Sequence, residues 1–101
     1  MDLFVGIHRL PAKFPAGERY LASQIRSAAL SAPSNIAEGA ADQSRGQFRA
    51  FLGYAIRSLN EAETQLEAAR RVGLVADDEA ARIAALVDEC LRLTYGLKRS
   101  L

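Results

Sequence analysis

The chain has 101 residues, half of them hydrophobic and a quarter charged, with 13 Lys and Arg against 12 Asp and Glu and a net charge of +1. This is the composition of one globular domain, residues 1–101, rather than of a disordered segment or a uniformly basic nucleic-acid binder. One cysteine, Cys90, and one histidine, His8, exclude an internal disulfide, the usual zinc ligand sets and a two-histidine di-iron bundle site. No metal, cofactor or small-molecule substrate is expected.

No alternating β-branched run bounded by turn residues marks a strand, so the expected class is all-α. Punctuation divides the chain into four predicted helices. The first is short, from about Asp2 to Leu10, and is ended by Pro11 and by Pro15-Ala16-Gly17. The second runs from near Glu18 to near Ala41, with Leu21, Ile25, Ala28, Ala32 and Ile36 on one stripe. Pro33 interrupts its interior, removing a backbone donor and clashing with the preceding turn, and is expected to kink it at a cost of roughly 3 kcal/mol.

The third predicted helix opens on a capping box, Ser44 with Gln47 three residues on. Phe48, Phe51, Leu52, Ala55, Leu59, Ala62, Leu66 and Ala69 form its apolar stripe, and Gly73 is the expected C′ residue behind Arg70 and Arg71. The fourth is expected to begin after an N-cap at Asp77, with Asp78 and Glu79 in its positive first turn, and to bury Ile83, Val87, Cys90, Thr94 and Leu97. Cys90 reads as a packed structural thiol. Short connections make the expected architecture an antiparallel up-down four-helix bundle. Leu86, Leu91, Leu93 and Tyr95 on the fourth helix and Tyr54 and Ile56 on the third fall beside the main stripes, which predicts a homo-oligomer burying a second face.

Leu52, Ile56, Leu59, Glu63 and Leu66 also share a seam, which places the Glu63 carboxylate in an apolar row. An unpaired buried charge is costly. The expected remedy is a polar layer in which Glu63 meets Arg26 and Asn35, with Glu38 one turn beyond Asn35, fixing register between the second and third helices.

The run Ser31-Ala32-Pro33-Ser34-Asn35-Ile36-Ala37-Glu38-Gly39, with Phe48, Phe51-Leu52 and Ser58-Leu59-Asn60-Glu61-Ala62-Glu63-Thr64-Gln65-Leu66, resembles the bacterial four-helix bundle family. Its members are also known as 23S rRNA intervening-sequence or S23 ribosomal protein-like proteins. The resemblance extends from about Phe14 to the C-terminus. It implies a four-helix bundle that assembles as a homopentamer, with no established enzymatic activity. A related branch, the accessory protein of diversity-generating retroelements, binds nucleic acid and a reverse transcriptase. Two features depart from the family pattern: the first helix is shortened, and Arg57 stands where relatives tend to carry Gly.

Basic residues are unevenly spread. No acid occurs from Gln43 to Asn60, where Arg45, Arg49 and Arg57 lie. Arg45 and Arg49 are one turn apart on one side of the helix, and Arg57 sits about 80° round from Arg49. With Arg19 expected nearby on the second helix, these four form the candidate nucleic-acid surface, suited to phosphates of structured RNA or DNA. The competing reading is a solvated helix face, with the apolar outer surfaces recruiting another protein. The N-terminus shows no basic leader followed by an apolar run, and no run approaches the roughly 20 apolar residues of a membrane span, so a cytoplasmic protein is expected. The sequence reading is thus a non-enzymatic oligomeric bundle serving as a nucleic-acid-associated accessory or scaffold protein.

Overall fold

The structure is a computed structural model that describes Gly6, Gly17 and residues 19–41 and 44–101. Among these residues it contains three helices and no strand: α1 (Arg19–Ala41), α2 (Arg45–Arg71) and α3 (Asp77–Arg99). They correspond to the second, third and fourth predicted helices. The first predicted helix, about Asp2 to Leu10, lies outside the described residues except for Gly6. That glycine is buried, and a Cβ on it would lie 3.8 Å from Ile83 Cγ1 and 3.7 Å from an Arg82 guanidinium nitrogen.

α2 is the central element, packing against α1 on one side and α3 on the other. Cross-helix pairings give both registers. Ser31 meets Ser58, and Gly39 abuts Phe51 and Phe48, so residue numbers rise along α1 as they fall along α2. Arg70 meets Asp77 and Arg49 meets Lys98, so α3 is likewise antiparallel to α2.

Most of the core is the one the helical stripes predict, but Leu97, expected on the buried stripe, is exposed, and Ile56, expected on a second face, is buried. Ile25, Ala29 and Ala32 from α1, Ala55, Leu59, Leu66 and Ala69 from α2, and Ile83 and Val87 from α3 join a single buried cluster. Small residues bring α1 and α2 close together. At Gly39 a Cβ would fall 2.6 Å from Phe51 Cβ and 3.1 Å from the Phe48 ring, so the interhelical distance there requires glycine.

The helix ends follow from local chemistry. Ser44 is the α2 N-cap, its Oγ accepting the Gln47 N–H at 3.3 Å. At the other end Leu74 N–H donates to Ala69 O and Gly73 N–H to Arg70 O, while Gly73 takes φ +81°. Those two bonds define a Schellman motif, with Gly73 at C′. The start of α3 differs from expectation: Ala76 occupies the N-cap position without a side-chain bond, and Asp77 is the first helical residue. Its carboxylate is drawn to Arg70 (3.3 Å) across the α2–α3 connection. Asp77, Asp78 and Glu79 still complement the helix dipole.

α1 continues through Pro33 as a single 23-residue helix, so the proline interrupts the hydrogen-bond ladder without ending the element. Two residues on, Asn35 Nδ2 donates to Ser31 O (2.8 Å) and to Ser31 Oγ (3.0 Å). Ser58 Oγ donates to Ser31 Oγ at 3.0 Å, tying α2 to α1. The two polar-rich stretches of the sequence therefore meet through Ser31 and Ser58.

Candidate nucleic-acid interface

The polar layer expected around Glu63 does not form. Glu63, Arg26 and Glu38 are all exposed, and no hydrogen bond or ion pair joins any two of Glu63, Arg26, Asn35 and Glu38. The cause is what faces α2 at each level. In the register set by the Arg49–Lys98 and Arg70–Asp77 contacts, Ile56 lies opposite Leu91 and is 6% exposed. Two seam positions further, beyond Leu59, Glu63 lies opposite Ala84. There the small side chains of Ala80, Ala81 and Ala84 leave an open groove, and the carboxylate stays in water. Of the four expected residues, Asn35 donates only within α1, to Ser31, and it is Ser31 that accepts from Ser58 of α2.

Arg45, Arg49 and Arg57 are exposed on the N-terminal half of α2. Arg49 Nη1 donates to the Lys98 carbonyl oxygen at 3.3 Å, and the Lys98 ammonium lies 3.6 Å from where a Gly53 Cβ would be. The C-terminal turns of α3 thus converge with the arginines of α2. The Arg57 guanidinium sits 4.9 Å from the centre of the Tyr54 ring, which meets Phe51 edge-on at 5.6 Å. That cation–π contact gives Arg57 a fixed position in a solvated setting.

Arg19 does not join this surface. Running back from the Ser31–Ser58 contact, its backbone lies level with about residue 70 of α2. That is roughly 35–40 Å from Arg45 at 1.5 Å per residue.

The structure supplies cations that the linear reading missed. Residues 90–101 contain Arg92, Lys98 and Arg99 and, like residues 44–60, no Asp or Glu. The antiparallel register lays these two acid-free segments side by side, three cations from each. The intervening segment, 61–89, holds eight carboxylates and three arginines and forms the opposite end of the helix pair. Carboxylates border the cluster: Glu61 is one turn from Arg57, Asp88 and Glu89 are one turn from Arg92, and Glu38 is exposed on α1 near the level of Phe51. A signal was present in the sequence, since the second acid-free run is as plain as the first. Only the register shows that the two coincide.

At the acidic end, Glu67 accepts from Arg70 Nη2 (2.6 Å) and Nε (3.0 Å) and from Arg71 Nε (3.0 Å). Hydrogen bonding to Arg70 and then Arg71 lowers the Glu67 carboxyl to a pKa of about 2. The Arg70 guanidinium is raised correspondingly, through its bonds to Glu67 and Asp77. These arginines are occupied by carboxylates, in contrast to those of the basic end. Among the described residues no group of three His, Cys, Asp or Glu is placed to hold a metal ion, and no helix is long and apolar enough to cross a membrane.

Comparison with known proteins agrees with this architecture. A search of curated proteins finds no match. A crystal structure of a protein of unknown function from the S23 ribosomal protein family of Bacteroides thetaiotaomicron VPI-5482 superposes with a TM-score of 0.86 at 27% identity, covering 96% of this chain and 92% of that one. The family description "23S rRNA-intervening sequence protein" matches residues 1–96. With a match over nearly its whole length and a fold to correspond, the chain belongs to the family of 23S rRNA-intervening sequence proteins.

Proposed function

We propose that this protein is a non-enzymatic, homo-oligomeric helical bundle that associates with nucleic acid through its basic end. The observation carrying this reading is the juxtaposition of Arg45, Arg49 and Arg57 with Arg92, Lys98 and Arg99 on two helices whose carboxylates begin only a turn beyond, at Glu61 next to Arg57 and at Asp88 and Glu89 next to Arg92. Such a surface contacts phosphates, positions a polynucleotide and reads no sequence. The buried Gly6 against α3 supports a fourth helix from the N-terminal segment completing the bundle.

An oligomer is supported by apolar surface on α3. Leu86, Cys90, Leu93 and Leu97 fall on one stripe at i, i+4, i+7 and i+11, with Leu93 67% and Leu97 39% exposed. A ring of parallel subunits, the pentamer implied by the family resemblance, would place every basic end on one rim and multiply its field. A reverse-transcriptase-like partner fits the same scaffold role. The second reading, a protein-interaction module without nucleic acid, rests on that same apolar stripe.

Fluorescence anisotropy with labelled structured RNA and duplex DNA, at low and physiological salt, tests the reading. Binding is expected to weaken steeply with salt, the slope reporting the number of neutralised phosphates, and to be lost in Arg45→Glu/Arg49→Glu. Binding that is insensitive to salt, or none at low salt, would favour the protein-interaction module.

A further inference from the structure

We infer that the basic end takes an unpaired polynucleotide strand, binding its bases by stacking on two exposed tyrosines, Tyr54 and Tyr95. This rests on the nucleic-acid reading above and specifies the chemistry of the ligand. The observation behind it is the company these rings keep. Tyr54 and Tyr95 are each 44% exposed, although a tyrosine this open gains little from burial. Each is set among cations at helical spacing. Tyr54 has Arg57 at i+3 with its guanidinium over the ring. Tyr95 has Arg92 at i−3 and Arg99 at i+4, which places both on its side of α3.

Small residues and cations also neighbour the rings in sequence. Gly53 and Gly96 are half-buried and add no side chain, and the Lys98 ammonium lies beside Gly53. Phe51 holds the Tyr54 ring edge-on at an interplanar angle of 85°, so the platform is orientated before any ligand arrives. A base can stack on the ring or on the guanidinium plane covering it.

Duplexes hide their base faces and offer such a surface only phosphates. Single strands offer phosphates and free π-faces together, which is the recognition mode of sequence-tolerant strand binders. The one other described tyrosine, Tyr20, is more exposed but lies at the opposite end of α1, away from the basic cluster.

The test compares a mixed-sequence single strand, as RNA and as DNA, with the blunt duplex of the same sequence and with inorganic polyphosphate, all with the full chain. The strand is expected to bind at least about five times more tightly than the duplex and the polyphosphate. Tyr54→Ala/Tyr95→Ala should remove about fivefold or more of that affinity, and Tyr54→Phe/Tyr95→Phe should retain it. Helical content by circular dichroism checks that each variant folds, and the comparison of ligands needs no variant at all. Equal binding of strand and duplex, or affinity unchanged in the alanine variant while Arg45→Glu/Arg49→Glu abolishes it, overturns the strand inference and leaves phosphate binding standing. No binding of any polyanion overturns both.

Discussion

Gly39 shows how a single position can set an interhelical distance. In an exposed helix interior, replacing glycine by alanine gains about 0.5–1 kcal/mol of backbone entropy. At Gly39 the new methyl would be forced to within 2.6 Å of Phe51 Cβ, and neither backbone can yield without separating α1 from α2. Gly39→Ala is therefore expected to destabilise by about 1–3 kcal/mol, the usual cost of overpacking. Gly46→Ala, whose nearest neighbour is Ser44 Oγ at 3.6 Å, should be neutral or stabilising. Thermal melts of the two variants decide the matter, and equal shifts would refute the close-approach account. Glu67 provides a second prediction at this scale. Its folded pKa is lowered, so its contribution is present above the ordinary value near 4.5 and is lost as pH falls toward about 2. Glu67→Gln should flatten the wild-type loss of stability across that window. The amplitude should be small, because the carboxylate is 45% exposed and solvent screens it.

Helix ends and stripes belong to the scale of the element. Gly73 adopts a left-handed conformation that costs an L-residue about 1–2 kcal/mol, so Gly73→Ala should destabilise by roughly that much. Ser44→Ala removes the cap on Gln47 N–H and should cost about 0.5–2 kcal/mol. Denaturant midpoints test both. Both positions were legible in the sequence, since cap and Schellman signals depend on residues within one turn. The start of α3 was less so. An aspartate before a helix reads locally as an N-cap, but Arg70, held at the end of α2, draws the Asp77 carboxylate elsewhere. Glu63 failed for a related reason. Its place in the seam was right, but its burial depended on Ala84 and not a larger residue standing opposite.

At the scale of the whole molecule, the carboxylates along α2 and α3 are concentrated toward one end, even though the net charge of the chain is only +1. Net charge therefore understates the field at the basic end. The apolar stripe on α3 is the other feature of this scale. If it is the oligomer interface, Leu93→Glu/Leu97→Glu should give a monomer in sedimentation equilibrium while helical content is preserved. A wild-type protein that sediments as a monomer would remove the homo-oligomer from the proposed function.

Periodicity, glycine and proline placement and capping residues were enough to define three helices, their ends and most of their buried faces, because these depend on interactions within one or two turns. The all-α class and the family followed from the same local patterns. Register did not, since it depends on which residues oppose one another across helices. Only the folded chain shows that Ser31 meets Ser58, that Glu63 faces alanines, that Arg19 lies a bundle's length from Arg45, and that two acid-free segments thirty residues apart form one basic surface. Charges that are scattered in the sequence become a patch only when antiparallel packing lays one helix beside another.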